Sequence, residues 1–163
     1  MEPLIVLVAV TLIILVAGAA GIRRLRPWPV ALRGGLAAMF MLTGSVHFVY
    51  LRSELIRMVP PVLPYPDLIV TITGILEWAG AIGLLWRPMV LWASGGLSLL
   101  LIVMFPANLY IAMNGLATSP EDALVPRTLM QIVFLSASLA VWNYYLRHRS
   151  ARKYGGKVGH SNN

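Results

Sequence analysis

The chain has no cysteine. Disulfides, thiolate nucleophiles and thiolate metal sites are therefore excluded, and any redox chemistry must use a bound molecule. A CxxC pair, an HExxH helix, a phosphate-binding loop and a dinucleotide-binding glycine pattern are also missing. Histidine is scarce: of the three, His148 and His160 fall in or near the C-terminal tail, which makes a poor ligand set, and no metal is expected. Charge is scarce too, at 12% of 163 residues, with 6 Asp and Glu against 13 Lys and Arg. Such a basic excess would suit nucleic acid if it covered a soluble face. Here the basic residues form short clusters between apolar runs, so no nucleic-acid partner is expected, and their natural partners are anionic lipid headgroups.

Apolar residues supply what is left. They make up 58% of the chain, with a mean hydropathy of +0.77, against roughly 45 to 50% apolar content in soluble domains. A membrane-spanning helix takes about 20 mostly apolar residues, and five runs qualify: Pro3 to Ile22, Gly34 to Leu51, Leu68 to Trp86, Met89 to Met113 and Leu129 to Leu146. The expected architecture is an all-α polytopic helical bundle embedded in a lipid bilayer. It forms a single membrane domain over residues 1–146, followed by a basic, disordered tail over 147–163 that is polar and glycine-containing.

Charge placement orients the bundle. Arg23, Arg24, Arg26, Arg33, Arg87, Arg147, Arg149, Arg152, Lys153 and Lys157 flank one set of helix ends, and only Arg52, Arg57 and Arg127 flank the other. By the positive-inside rule the N-terminus is expected outside and the tail in the cytoplasm, in the inner (cytoplasmic) membrane. The first run ends in the small residues of "LVAGAAG", as a secretory signal peptide would, but it carries Glu2 where a positive segment belongs. Cleavage would also leave "IRRLRP" on the outer face, so the run is expected to stay as an anchor.

The two outer connections differ. Arg52 to Asp67 contains Pro60, Pro61, Pro64 and Pro66, each fixing φ and removing a donor, so a stiff extended lid is expected rather than a helix. Asn114 to Pro126, with Glu121 and Asp122, has ordinary turn chemistry and is expected only to connect helices.

Within the runs four polar residues on four different helices need a reason to be there: His47, Glu77, Asn108 and Gln131. At a rise of about 1.5 Å per residue Glu77 lies about 13 Å below the outer surface, near the bilayer midplane, and the other three lie shallower in the same half. Thr73, Gly74, Glu77, Gly80 and Ala81, and likewise Thr43, Gly44 and His47, follow helical spacing as small-residue stripes that let helices approach closely. Pro106, in "MFPANLY", deprives the Ile102 carbonyl of its helical partner and is expected to kink its helix near Asn108. An intramembrane carboxylate and imidazole point to ligand or proton handling, and the alternative reading of the same residues is a purely structural hydrogen bond within the helix packing. The five tryptophans, Trp28, Trp78, Trp86, Trp92 and Trp142, read as interfacial anchors or packing.

The stretch "GSVHFVYLRSELIRMVPPVLPYPDLIVTITGILEWAGAIGLL", together with "FPANLYIA", resembles the DoxX-like membrane proteins. In those proteins a His-Phe pair, a proline-rich outer loop, an intramembrane Glu before small residues, and Phe-Pro-Ala-Asn recur in this order. The likeness runs from about Gly34 to Tyr145. It implies a four-helix core, to which the first helix is an addition, and makes His47, Glu77, Pro106 and Asn108 the motif residues. Some relatives are membrane subunits of thiosulfate:quinone oxidoreductase. Distant relatives that form disulfides use cysteine pairs, which this chain lacks.

The function expected is that of a membrane subunit of a redox complex with a partner protein. It would bind a quinone-like lipophilic molecule through His47, Glu77, Asn108 and Gln131, in a polar pocket open to the outer leaflet. Two alternatives stand beside it. One is a non-catalytic assembly or anchoring subunit. The other is an acid/base enzyme acting on an apolar, lipid-like substrate, with Glu77 and His47 as its candidate catalytic groups.

Overall fold

The computed structural model describes residues 1–49, 52–113 and 124–158. Among them there are six α-helices and one short 3-10 turn, and no strand: α1 (Glu2–Ala19), the turn Arg23–Leu25, α2 (Trp28–Val46), α3 (Arg52–Met58), α4 (Pro66–Leu85), α5 (Val90–Met113) and α6 (Leu124–Val158). All but α3 are long and apolar enough to cross a membrane. The protein is a multi-pass, all-α membrane protein.

Local chemistry places the helix ends. Pro3 stands in the first turn of α1, where its missing N–H costs nothing, and Glu2 meets the positive end of the helix dipole. Beyond α1 the chain turns at Gly21, whose φ of +122° suits glycine. The second helix begins at Trp28, ahead of the expected Gly34. Pro27 is its N-cap and Pro29 lies in its first turn, so Arg33, a boundary residue by sequence, is inside the helix. α4 opens with Pro66 after Tyr65, which is left-handed at φ 57°. α5 runs unbroken through Pro106.

The segment between α2 and α4 departs from the expected extended lid. Its first proline is Pro60, and the residues before it, "RSELIRM", carry no helix breaker and form α3. α6 also continues past Leu146 to Val158, in place of a disordered tail starting at residue 147. Arginine, alanine and lysine on that stretch are good helix formers. Tyr50 and Leu51 of the second run, the Glu121–Asp122 connection and residues 159–163 of the tail lie outside the described residues.

α2, α4, α5 and α6 form a ring of four, each packed on the next, with α1 laid on the outer side of α2. Phe40, Leu36, Met39, Leu84, Leu97 and Val141 fill its centre. Around them Ile13, Val16, Ile75, Ile82, Trp92, Leu99 and Val103 stay exposed, the face that acyl chains cover. Lipid is as apolar as these side chains, so helices associate by close packing rather than by hydrophobic exclusion. α4 does this with two small faces. Gly74, Glu77 and Ala81 are buried, with Gly74 set against α2, while Gly80 and Gly83 admit Leu97 and Ala93 of α5.

Candidate functional site

Consecutive spans run in alternate directions, which brings the start of α1, the end of α2, all of α3, the start of α4, the end of α5 and the start of α6 to one end of the ring. A cavity of about 710 Å³ lies there, floored by Phe40, Met39 and Leu101. His47, Glu77, Asn108 and Gln131 all line it. They belong, however, to two separate hydrogen-bonded groups.

The first group is built on Thr43. Its hydroxyl donates to Glu77 Oε2 at 2.6 Å. Its carbonyl lies 2.9 Å from His47 Nδ1, and because a carbonyl only accepts, the ring proton is on Nδ1 and the lone pair of a neutral ring is on Nε2. That carbonyl is available because α2 tightens at its end. The His47 N–H bonds to Gly44 O at 3.3 Å and the Phe48 N–H to Ser45 O at 3.0 Å, one residue short of the α pattern. His47 and Glu77 are each only 4% exposed. Gly74, one turn from Glu77, makes room for the imidazole: a Cβ there would stand 2.7 Å from His47 Cβ.

The second group crosses from α5 to α6. Arg127 Nη1 donates to Asn108 Oδ1 at 3.0 Å, Asn108 Nδ2 donates to Gln131 Oε1 at 3.4 Å, and Gln131 Nε2 donates to the Leu101 carbonyl. This chain fixes both amides and places a side-chain donor on backbone next to Ile102, whose carbonyl Pro106 leaves without its helical partner. Asn108 and Gln131 thus spend these polar atoms on each other and on their helices. Glu77 and His47 keep one carboxylate oxygen and one ring nitrogen outside these hydrogen bonds.

Four lining residues, Thr43, Arg127, Leu55 and Met58, are not evident as such from sequence. Thr43 reads there only as a small residue in a stripe, although its position four before His47 puts its carbonyl under the ring. Arg127 reads as an outer-loop charge, yet it lies in the first turns of α6 and lines the cavity, with Met58 Sδ 3.9 Å from its Nη1. Leu55 and Met58 of α3 also line the wall, whereas none of Pro60, Pro61, Pro64 and Pro66 does. The covering element is therefore the short helix, and the prolines form the return to α4. A second concavity of about 460 Å³ between α4 and α5 is lined by apolar side chains and glycine and holds none of the candidate residues.

Residues 36–147 match the family described as "Domain of unknown function (DUF8561)", and the chain belongs to that family. The match takes in Thr43, His47, Glu77, Asn108, Arg127 and Gln131 and leaves α1 outside. No curated protein and no solved structure matches the chain.

Proposed function

We propose that this protein is a DoxX-like membrane subunit that serves a redox complex by holding a quinone-like lipophilic molecule in the cavity at the His47 end. The observation that carries the reading is the pairing of His47 and Glu77 through Thr43 on the wall of a cavity of about 710 Å³. That size falls in the roughly 300 to 1,000 Å³ range of small-molecule sites, and the arrangement of an apolar floor with a few convergent polar groups is what such sites use. A quinone head presents carbonyl acceptors when oxidised and hydroxyl donors when reduced. Glu77 in its acid form donates to an acceptor, and His47 Nε2 accepts from a donor, so the pair answers both states, Glu77 giving one of the two protons the head takes up as the complex reduces it and His47 taking one of the two it releases on oxidation. The bound molecule would supply the electron-carrying chemistry, which a cysteine-free chain does not provide by itself. The proposed orientation puts this end of the bundle on the outer side of the inner membrane, because ten of the thirteen basic residues flank the opposite end.

The test uses decylubiquinone and two variants. Glu77→Gln keeps the shape and a donor, so it should fold and still bind decylubiquinone while failing in proton-coupled turnover. Glu77→Leu removes the polar group and should lose binding as well. Binding unchanged in Glu77→Leu at normal membrane levels would contradict the reading.

The assembly reading draws on the other hydrogen-bonded group. The Arg127, Asn108 and Gln131 chain ties α5 to α6 and suits a packing role for those three residues, whichever molecule the cavity holds.

A further inference from the structure

The four sides of the ring are not equal. α2 packs along α4, α4 along α5 and α5 along α6, while α2 and α6 share the sparsest interface. The polar and ring contacts that join α2 to α6 are at the basic end, where Arg33 Nη1 donates to Tyr145 OH at 3.3 Å and the Trp28 and Tyr144 rings meet edge-on at 5.4 Å. At the other end both helices line the cavity, α2 contributing Thr43 and His47, α6 contributing Met130 and Phe134. The start of α1, packed on α2, also reaches the cavity: Ile5 lines it while 63% exposed. α1 is packed on α2 and the short turn after it, and does not form a packed pair with α6.

We propose that the gap between the start of α1 and the start of α6 is a lateral portal, through which the cavity takes its ligand from the acyl region of the bilayer rather than from water. This rests on the cavity being a binding site, as proposed above. Ile5 of α1 and Met130 of α6 give the lining apolar side chains, with Phe134 packed against the core, whereas Glu2, Glu54 and Arg127 also line the cavity and belong to the segments nearest the aqueous surface. A ligand using this route is an amphiphile with one compact, uncharged head, which reaches His47 and Glu77, and an apolar tail, which stays in the gap. α1 lies outside the family-matched residues, whereas Met130 and Phe134 lie within them.

The natural absence of cysteine makes the portal directly measurable, since an introduced thiol is the only one present. Leu101→Cys places a thiol on the cavity wall at a position 8% exposed. The protein is reconstituted in phosphatidylethanolamine and phosphatidylglycerol vesicles and labelled either with membrane-soluble pyrenylmaleimide or with a charged, water-borne trimethylammonium-ethyl thiosulfonate. Each rate is normalised to Val62→Cys on the exposed loop before α4. The normalised pyrenylmaleimide rate should exceed that of the charged reagent by an order of magnitude or more. Adding Ile5→Trp with Met130→Trp should slow it by a similar factor, and Leu12→Trp, on the lipid-facing part of α1 away from the cavity, should not. Ile5→Phe alone, read in the same way, replaces the double variant if the latter fails to insert. Faster labelling by the charged reagent, or no effect of filling the gap, would overturn the portal. Saturating decylubiquinone should protect Leu101→Cys. If it does not while the lipid-route pattern holds, the portal stands and the quinone assignment of the cavity fails.

Discussion

Thr43 sets the geometry of the site with two atoms of one residue, its hydroxyl on Glu77 and its carbonyl under His47. A buried polar group left without its partner costs about 1 to 3 kcal/mol. Thr43→Val keeps the shape and removes the donor, so it should lower stability by an amount of that order in a detergent unfolding titration and weaken decylubiquinone binding. Thr43→Ser should restore both. An unchanged affinity in Thr43→Val would mean that Glu77 does not depend on this bond for its position. Gly74 is the complementary constraint. A Cβ there would meet His47 Cβ at 2.7 Å, and neither atom is at the end of a flexible side chain, so α2 and α4 must separate. Gly74→Ala should therefore destabilise by about 1 to 3 kcal/mol, the usual range for overpacking, and the same titration measures it. A neutral result would show that the crossing yields more easily than its spacing implies. Neither dependency is visible from residue type alone: a threonine and a glycine on an apolar helix look like packing until the partner helix is in place.

Among the elements, the long spans are legible in the sequence, because a run of about 20 apolar residues has few other uses. Their ends are not. Arg33 looks like the start of a loop and is a helical residue whose head reaches Tyr145, a length of side chain that lets a charge sit inside a span near its end. The segment 52–67 reads as one proline-rich unit, and the density of prolines after residue 59 hides a helix of seven residues before them. This division separates two roles. Replacing Pro60, Pro61, Pro64 and Pro66 together by Ala should lower thermal stability, since fixed φ reduces the freedom of the unfolded chain, with little change in decylubiquinone affinity. Leu55→Ala with Met58→Ala should do the reverse, because those side chains line the cavity and the prolines do not. Equal effects of the two variants on binding would return the covering role to the loop. Gln131→Leu should lower stability by about 0.6 kcal/mol for each interhelical hydrogen bond it removes, the average for polar pairs in membranes, and its effect on binding should be smaller than that of Glu77→Leu.

For the whole molecule, the convergence of four polar residues from four helices follows from their depth, and the cavity brings all four to one surface. Their division into a closed Arg127, Asn108 and Gln131 chain and an open His47 and Glu77 pair does not, since it depends on which amide atom meets which carbonyl. The proposed orientation has its own check. A reporter active only in the cytoplasm, fused after Asn163, should give signal, and a silent one beside an active periplasmic reporter would reverse the orientation. The central claim is that the cavity holds a quinone-like molecule through Glu77 and His47, and extraction tests it most directly. The protein and its Glu77→Leu variant are purified in the same mild detergent at equal monodispersity, and the organic-soluble content of each is quantified by mass spectrometry. The account predicts near-stoichiometric quinone with the natural chain and its loss from Glu77→Leu. Equal quinone in both, or none in either, would contradict it.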